Sequence, residues 1–273
     1  MTKAPDIHAV TALIAEAAAA LILPRFRHLR PEDIEDKSTS ADRQDLVTAV
    51  DRDVEAWLTR QLERLDPGAI VVGEEAVHAR PDLLLAAGGD EPVWIVDPID
   101  GTKNFARGDD GFGVMVSRVA GGTTQAGWIM LPARGATFVA EAGSGAWLND
   151  QRIRVPSETS AAAPRGSLFV RYMPPDVRHR VTVAASREFD ILTDSACAAV
   201  EYTDILRGHK DFAVYYRLLP WDHAAPALIL SESGGSARHL DGRPYTVRSH
   251  DEITIVARSA PVSDAIRAVL SPG

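Results

Sequence analysis

The chain has 273 residues, with 29 Lys and Arg against 38 Asp and Glu, which gives a formal net charge of −9. This length suffices for one large domain or two smaller ones, and a hydrophobic fraction of 45% with a charged fraction of 25% excludes a disordered or fibrous chain. The acidic balance argues against nucleic acid held by bulk electrostatics. The composition leaves open whether the excess acid is a solvated surface or is partly gathered in one site.

The cysteine content and the length of the apolar runs bear on the cellular compartment of the protein. Cys197 is the only cysteine, which excludes an intramolecular disulfide and a thiolate metal cage. The longest apolar run, residues 17–23, is far shorter than the ~20 residues of a membrane span. The sequence also lacks the basic start and cleavage site of a signal peptide. We therefore expect a cytoplasmic protein with no membrane association.

Hydrophobic periodicity predicts mixed helix and strand in two halves. The first half is predicted as helix 6–29, loop 30–45, helix 46–65, strands 69–72 and 93–96, and a β-meander over 112–155. The second half is predicted as strand 167–170, helix 176–185, a strand near 191, helix 195–208, strand 211–216, helix 222–233, strand 253–257 and helix 262–270. An Ala- and Ser-rich linker over 157–165 divides an N-terminal subdomain, 1–155, from a C-terminal subdomain, 156–273. The pattern indicates an α/β (mixed α+β) sandwich.

The most informative segment follows the strand 93–96. Asp97 and Asp100 are three residues apart, and Pro98 and Gly101 bend the chain around them. Thr102 is a natural N-cap for a short helix, where peptide N–H groups suit an anion such as phosphate. An ordinary Asp-rich turn with a helix cap remains the alternative interpretation.

Further acids occur at the ends of other predicted elements. Glu74 and Glu75 follow the strand 69–72, Asp222 opens a helix, and Asp51 and Asp53 lie within a helix. Each has an ordinary explanation, as a solvated pair, an N-cap or a solvated helix face. If they converged, two carboxylates about 4 Å apart would repel by ~4 kcal/mol at an effective dielectric near 20, so a cation would be required. All-oxygen ligands favour Mg²⁺ or Mn²⁺. Spacing alone does not decide whether they converge.

Other catalytic motifs are absent from the sequence. There is no P-loop and no Gly-x-Ser-x-Gly nucleophile elbow, and residues 143–145 (GSG) read as a hairpin turn. His223 is expected on the surface of its helix rather than in a catalytic triad. Cys197 is expected in the core.

Four segments together carry a resemblance to a known family. They are residues 46–51 (LVTAVD), 73–75 (GEE), 94–105 (WIVDPIDGTKNF) and the stretch from 221–222 (WD) to 233–235 (SGG). In order and separation they resemble the inositol monophosphatase family of Mg²⁺-dependent, lithium-sensitive sugar phosphatases, over nearly the whole chain. The resemblance implies a layered α/β/α/β/α sandwich, usually a homodimer, that hydrolyses phosphate monoesters of small polyols, sugars or nucleosides. It also implies two or three Mg²⁺ ions, with Mn²⁺ as a substitute.

The resemblance further implies roles for individual residues. The implied metal ligands are Glu74, Asp97, Ile99 (through its carbonyl), Asp100 and Asp222. The implied catalytic residues are Asp51, Glu74 and Thr102, of which Asp51 and Thr102 orient and deprotonate the attacking water. The implied phosphate or substrate contacts are Gly101, Thr102, Lys103, Ala196, Tyr215 and Arg217. Lys37 resembles a family lysine on a mobile loop near the metals.

Departures from the family pattern bear on the substrate. Tyr215 stands where inositol-type members usually carry glutamate, and residues 196–198 (ACA) stand where they carry Gly-Thr-Ala, which argues against strict myo-inositol phosphate specificity. Lys103, Arg171 and Arg217 add positive charge around the expected pocket. We hypothesise a substrate with additional negative charge, such as a sugar bisphosphate or a phosphorylated nucleoside. The alternative is that the two arginines are surface residues or dimer contacts.

Several functions are compatible with the family pattern. Within the same class are fructose-1,6-bisphosphatase, histidinol-phosphatase and 3′-phosphoadenosine 5′-phosphate phosphatase activities. From other classes come a non-catalytic partner of an RNA or transcription complex and a two-metal phosphodiesterase or nuclease. Both of these would favour a basic surface, which the net charge of −9 does not support. A small phosphorylated substrate, and not nucleic acid, is therefore the expected partner.

Overall fold

A computed structural model describes residues 6–36, 46–156 and 163–271. Over these residues the chain stacks into five layers, in the order helix, sheet, helix, sheet, helix. The layered sandwich predicted from the sequence is confirmed.

The first part of the chain forms the outer helical layer and a small two-stranded sheet. The helical elements are α1 (Ile7–Ala17), a π-helical turn (Ala18–Ile22) and α2 (Ala49–Leu65), and the sheet is the antiparallel pair β1 (Ile34–Asp36) and β2 (Leu46–Thr48). The long predicted helix stops short of Pro24, whose ring cannot donate a hydrogen bond. The helix predicted from residue 46 begins at Ala49, because Thr48 caps it. Thr48 Oγ1 accepts from Val50 N–H at 3.2 Å, and the carboxylate of Asp51 accepts from Thr48 N–H at 3.0 Å.

The larger sheet uses strands from residues 70–153, in spatial order β3-β4-β5-β6-β7-β8-β9 within the described chain. Its strands are β3 (Ile70–Gly73), β4 (Val93–Asp100), β5 (Gly113–Ala120), β6 (Thr123–Leu131), β7 (Ala136–Glu141), β8 (Gly145–Leu148) and β9 (Gln151–Ile153). Short helices interrupt it: α3 (Glu74–Ala79), α4 (Leu84–Ala87) and α5 (Thr102–Arg107). All eight residues of β4 are buried, as its unbroken apolar start predicts. This buried strand carries the acidic segment into the middle of the molecule.

The second half supplies a smaller mixed sheet and the remaining helices. Its elements are β10 (Arg165–Leu168), α6 (Pro175–Glu188), β11 (Asp190–Ile191), α7 (Ala198–Leu206), β12 (Phe212–Tyr215), α8 (Pro220–Glu232), β13 (Ser236–His239), β14 (Thr254–Ala257) and α9 (Ala260–Leu270). The spatial order in the described chain is β11-β10-β12-β14-β13. Helices α6 and α9 cover its outer face.

Helices α7 and α8 form the middle layer between the two sheets. One apolar cluster joins Ile129 and Phe138 of the larger sheet, Tyr202 and Ile229 of these helices, and Ala213 of the smaller sheet. The two sheets therefore share one core through this layer. Each sheet lies on one side of the predicted boundary, but the division into subdomains 1–155 and 156–273 stays a prediction.

Candidate active site

The acidic segment lies at the end of β4. In a regular strand, residues three apart point to opposite faces. The pairing of β4 with β5 shifts register between Asp97 and Asp100, which is a bulge that turns one residue out of the alternation. Carboxylate oxygens of Asp97, Asp100 and Asp222 accordingly lie within 4.8 Å of one another. Asp222 comes from the first turn of α8, whose N-cap is Leu219, so Asp222 is not the cap residue.

Asp97 is the most deeply buried carboxyl group of this cluster of three aspartates. Asp97 is 1% exposed, and among the described residues its Oδ1 is buried with no hydrogen-bond partner. Burial, and then the charges of Glu74, Asp100 and Asp222, raise the pKa of Asp97 well above its ordinary value. A buried, unpartnered carboxylate oxygen among other oxygen donors fits a hard divalent cation.

Glu74 reaches the same region from the neighbouring strand. β3 runs parallel to β4 with Gly73 paired to Val96, so Glu74, which follows Gly73, comes level with Asp97. Glu74 lines the cavity that Asp97 also lines. Strand pairing therefore brings together two acids that are 23 positions apart in the sequence (97 − 74).

Asp51 and Thr102 form a second, adjoining group. Thr102 Oγ1 lies 3.2 Å from Asp51 Oδ1 and 3.0 Å from the carbonyl oxygen of Ile99, and its single proton can be donated to only one of them at a time. Asp51 is 1% exposed, and burial, partly offset by hydrogen bonds from Thr48, raises its pKa to about 6. The group places a weakly acidic carboxyl behind a hydroxyl that lines the cavity.

The N-cap of α5 differs from the prediction. Gly101, not Thr102, is the N-cap, with φ of 83°, and Thr102 is the first helical residue. A side chain at Gly101 would be strained at this φ, and its Cβ would lie 2.9 Å from the carbonyl oxygen of Gly111. Because Thr102 does not cap the helix, its hydroxyl bonds to Asp51 or Ile99 instead.

Asp100 is anchored by the start of α7. Its Oδ2 accepts the N–H of Ala199 at 2.5 Å and the thiol of Cys197 at 3.1 Å. Burial raises the pKa of Asp100, and these hydrogen bonds act in the opposite direction. Cys197 is 2% exposed, so its predicted place in the core is confirmed, and burial raises the pKa of its thiol. The cysteine thus donates to an acid of the cluster.

A cavity of about 840 Å³ opens over these acids. The predicted site residues along its wall are Glu74, Asp97, Ile99, Asp100, Gly101, Thr102, Lys103, Ala196, Tyr215, Arg217 and Asp222. Asp51 is reached through Thr102. Lys37 lies outside the described residues. Local spacing in the sequence could not reveal that these residues converge. Their convergence depends on the pairing of β3 with β4 and on the position of α8 against the larger sheet.

Glu55 supports the site from beneath and was not predicted from the sequence. The carboxylate of Glu55 accepts the N–H groups of Glu75 and Ala76, each at 2.8 Å, and so caps α3 and fixes its start at Glu74. A Cβ at Gly73 would overlap this carboxyl group. Asp51 and Glu55 are four residues apart on one helix, and this spacing could have predicted that Glu55 lies on the same helix face as Asp51.

The prediction that His223 lies on a helix surface is wrong. His223 is 1% exposed, and its Nδ1 lies 3.0 Å from the hydroxyl oxygen of Tyr202. Burial lowers the pKa of His223 to about 3. Helix α8 is sandwiched between two sheets, so it has almost no solvent-facing side for a histidine to occupy.

The five-layer sandwich and its acid-lined cavity fit a phosphatase of a family that is generally metal-dependent, because the acidic cluster could bind a metal ion. Residues 4–268 match the model of the inositol monophosphatase family, and the chain belongs to that family. The fructose-1,6-bisphosphatase/inositol-1-monophosphatase of Thermotoga maritima is 30% identical over 231 residues, covering 78% of this chain and 82% of the relative.

Two further comparisons support the same placement. SuhB of Neisseria meningitidis serogroup B, named as a candidate Nus factor, is 29% identical over 245 residues, covering 86% of this chain and 88% of the relative. The solved structure of the Thermotoga maritima IMPase matches with a TM-score of 0.78 and 26% identity, over 96% of this chain and 95% of that one. The resemblance inferred from the sequence is confirmed, and the chain is a phosphoric monoester hydrolase.

Proposed function

We propose that the chain hydrolyses a phosphate monoester of a small polyol, sugar or nucleoside with a metal-activated water. The observation that carries this proposal is the buried, unpartnered Oδ1 of Asp97 beside Asp100 and Asp222. Glu74, Asp97, the carbonyl of Ile99, Asp100 and Asp222 would hold two or three Mg²⁺ ions, with Mn²⁺ as a substitute. When bound, these ions would ionise water, neutralise the phosphate and stabilise the leaving alkoxide.

The protein's own residues would orient the reactants and move a proton. Thr102 lines the cavity and has Asp51 behind it, so its hydroxyl would accept a hydrogen bond from the attacking water and donate to Asp51. Asp51 must be ionised to serve as the base, which its pKa of about 6 permits at neutral pH. The main-chain N–H groups of Gly101 and Thr102 would bind phosphate oxygens.

The setting of the enzyme belongs to the same proposal. We infer a cytoplasmic homodimer that takes a small phosphorylated substrate. Within the described ranges, every helix is too short or too polar to cross a membrane. The relative named as a candidate Nus factor supports the second candidate, a non-catalytic binding partner of an RNA or transcription complex. A net charge of −9 disfavours a nucleic-acid surface, and the acidic cluster favours catalysis.

A phosphate-release panel with and without Mg²⁺ tests the proposal. It includes inositol phosphates, fructose 1,6-bisphosphate, histidinol phosphate and 3′-phosphoadenosine 5′-phosphate. Asp97→Asn should lower turnover by about 10³-fold, or ~4 kcal/mol, because it removes a charged ligand. Asp53→Asn is the control, since Asp53 is an exposed acid that pairs with Arg25 at 2.7 Å.

One result would contradict this function, and another would contradict the metal assignment. Absence of phosphate release from every ester with Mg²⁺ or Mn²⁺ would favour the RNA-linked candidate, which a filter-binding measurement would then examine. Wild-type turnover in a folded Asp97→Asn variant, checked by circular dichroism, would overturn the metal assignment alone.

A further inference from the structure

A buried ion pair joins α7 to the start of β12. Glu201 of α7 is 0% exposed, and Lys210, two residues before β12, is 7% exposed. The Nζ atom of Lys210 lies 2.7 Å from each carboxylate oxygen of Glu201 and donates to Ser167 Oγ of β10 at 2.8 Å. Buried charges are tolerated only where each is paired and hydrogen-bonded. The pair therefore fixes the position of a carboxylate inside the fold.

The same carboxylate also binds the loop 194–197, which precedes α7. Glu201 Oε1 accepts the N–H of Ser195 at 2.6 Å. The carbonyl oxygen of Ser195 accepts from the side-chain amide of Asn104 in α5 at 2.9 Å. This amide also donates to the carbonyl oxygen of Gly111 at 2.7 Å, which fixes its orientation. The two bonds to Ser195, from Glu201 and from Asn104, are called the Ser195 clamp, and they hold one residue from both halves of the chain.

The loop 194–197 connects the Ser195 clamp to the acidic cluster. Residues 194, 196 and 197 line the cavity of the proposed active site. Ser195 Oγ donates to the carbonyl oxygen of Cys197 at 2.9 Å, and the thiol of Cys197 donates to Asp100 Oδ2 at 3.1 Å. Between them, Ala196 has φ of 53°, a left-handed conformation that persists only where surrounding contacts hold it. The clamp supplies such contacts at the adjacent residue.

We propose that Glu201 and Asn104 are positioning residues of the active site. Through the Ser195 clamp they fix the loop 194–197, and the loop in turn holds the orientation of the Asp100 carboxylate. A carboxylate that binds a metal ion depends on such hydrogen bonds for its orientation. The effect on turnover rests on the proposed phosphatase function, whereas the effect on the loop does not. Loss of the clamp should free the loop and weaken the cation site in a chain that remains folded.

Two double variants separate the hydrogen bond of the clamp from the charge of the ion pair. Glu201→Gln with Lys210→Met removes both charges and keeps an oxygen that can accept the N–H of Ser195. Glu201→Leu with Lys210→Met removes both charges and leaves no acceptor. Neither combination leaves a buried charge without its partner, which is the change that destabilises a fold most strongly. Asn104→Leu breaks the clamp from the first half of the chain and leaves the ion pair intact.

The only cysteine of the chain reports directly on the loop. Cys197 is 2% exposed, so Ellman's reagent should react slowly with folded wild type in EDTA. The glutamine double variant should react at a rate close to that of wild type. The leucine double variant and Asn104→Leu should each react roughly 10- to 100-fold faster, because loss of a buried hydrogen bond raises the population of the open loop. Urea unfolding of the same proteins separates loop opening from global unfolding.

The cation site provides the second measurement. Calorimetric Mg²⁺ affinity and kcat/KM on the best ester should each fall roughly tenfold in the leucine double variant, as for other hydrogen-bond partners of metal ligands. The glutamine double variant should retain both values. This rescue by a neutral acceptor would not occur if the ion pair served only to stabilise the fold.

The outcomes separate this inference from the function on which it rests. Equal thiol reaction rates in the two double variants, or a rapid reaction in wild type, would overturn the clamp. A faster thiol reaction in the leucine double variant with unchanged Mg²⁺ affinity and kcat/KM would overturn the positioning role while the phosphatase function stands. If wild type hydrolyses no ester, the function fails, and the thiol rates, which require neither metal nor substrate, still decide whether the clamp holds the loop.

Discussion

At the residue scale, Asp51 is a carboxyl group whose surroundings oppose its charge. Its two oxygens face Thr48 and Thr102, and Glu75 adds a further negative charge nearby. Burial is the largest effect and raises the pKa of Asp51 from its ordinary value of 3.8 to about 6. The folded state therefore binds this proton more tightly than the unfolded chain does, and its stabilising contribution is lost as the pH rises through about 6.

This sign predicts how Asp51→Asn changes stability in metal-free protein. The amide cannot ionise, so the variant avoids the cost that the wild type incurs as the pH rises from about 4 to about 6. Relative to wild type, its free energy of unfolding should rise by about 1–2 kcal/mol between pH 5 and pH 7.5, at 1.36 kcal/mol per pKa unit. Urea unfolding in EDTA at the two pH values measures this difference.

The exposed Asp53 provides the comparison on the same helix. Asp53→Asn should show no such pH-dependent gain, because solvent screens its pair with Arg25. A pH-independent difference between Asp51→Asn and wild type would mean that Asp51 is already ionised at pH 5. In that case burial does not raise the pKa of Asp51 to about 6.

At the scale of elements, buried apolar runs were predictable and pairing details were not. β4, β12 and β14 are buried strands, and a buried strand requires apolar side chains. Their apolar runs in the sequence therefore predict them. β13, with sequence SARH, has no apolar alternation and is defined by its antiparallel pairing with β14, which no local pattern encodes.

The site shows the same division between local and long-range information. Sequence motifs identify Asp97 and Asp100, but alternation alone places residues three apart on opposite faces. The bulge against β5 reverses that expectation. Capping by Glu55 and burial of His223 depend on the layers around them, so local sequence predicts neither.

The start of α7 carries a conformational strain that a substitution should release. Ala196, two positions before the helix, has φ of 53°, a left-handed conformation that costs an L-residue about 1–2 kcal/mol. Ala196→Gly removes this cost but increases the conformational entropy of the unfolded chain. That increase lowers the free energy of unfolding by about 0.4–1 kcal/mol. The variant should be more stable than wild type by up to about 1.6 kcal/mol in urea unfolding.

A glycine two positions later gives the matched control. Ala198 is the first residue of α7, so Ala198→Gly should instead destabilise by about 0.5–1 kcal/mol. Opposite signs for the two variants would attribute the effect to backbone conformation. Equal destabilisation would show that the strain at Ala196 does not contribute to the free energy of unfolding.

At the scale of the whole molecule, the acidic cluster joins the two halves of the chain. Asp97 and Asp100 belong to the larger sheet, whereas Asp222 belongs to α8 in the middle layer. The net charge of −9 is therefore in part local, since buried acids raise one another's pKa at this junction. Without a cation, repulsion across the junction opposes the packing of α8 against β4.

Mg²⁺ should accordingly stabilise the whole fold, because only the folded chain assembles the cluster. At a concentration 100 times Kd, the gain is about 2.7 kcal/mol, which for a chain of this size corresponds to a rise in Tm of about 5–10 °C. Differential scanning calorimetry in EDTA and in MgCl₂, at ionic strength matched with KCl, measures the rise. Asp222→Asn should raise the Tm of metal-free protein, by removing repulsion, and lose most of the further gain from Mg²⁺.

The exposed acid Asp90, whose side chain is 96% accessible, serves as the control. Asp90→Asn should keep the full Mg²⁺-dependent rise, because a distant solvated charge contributes little to the binding of a buried cation. An undiminished rise in Asp222→Asn would mean that the cation is held by β4 and α3 alone. The metal would then stabilise the larger sheet without linking it to α8, and the two halves would be joined by apolar packing only.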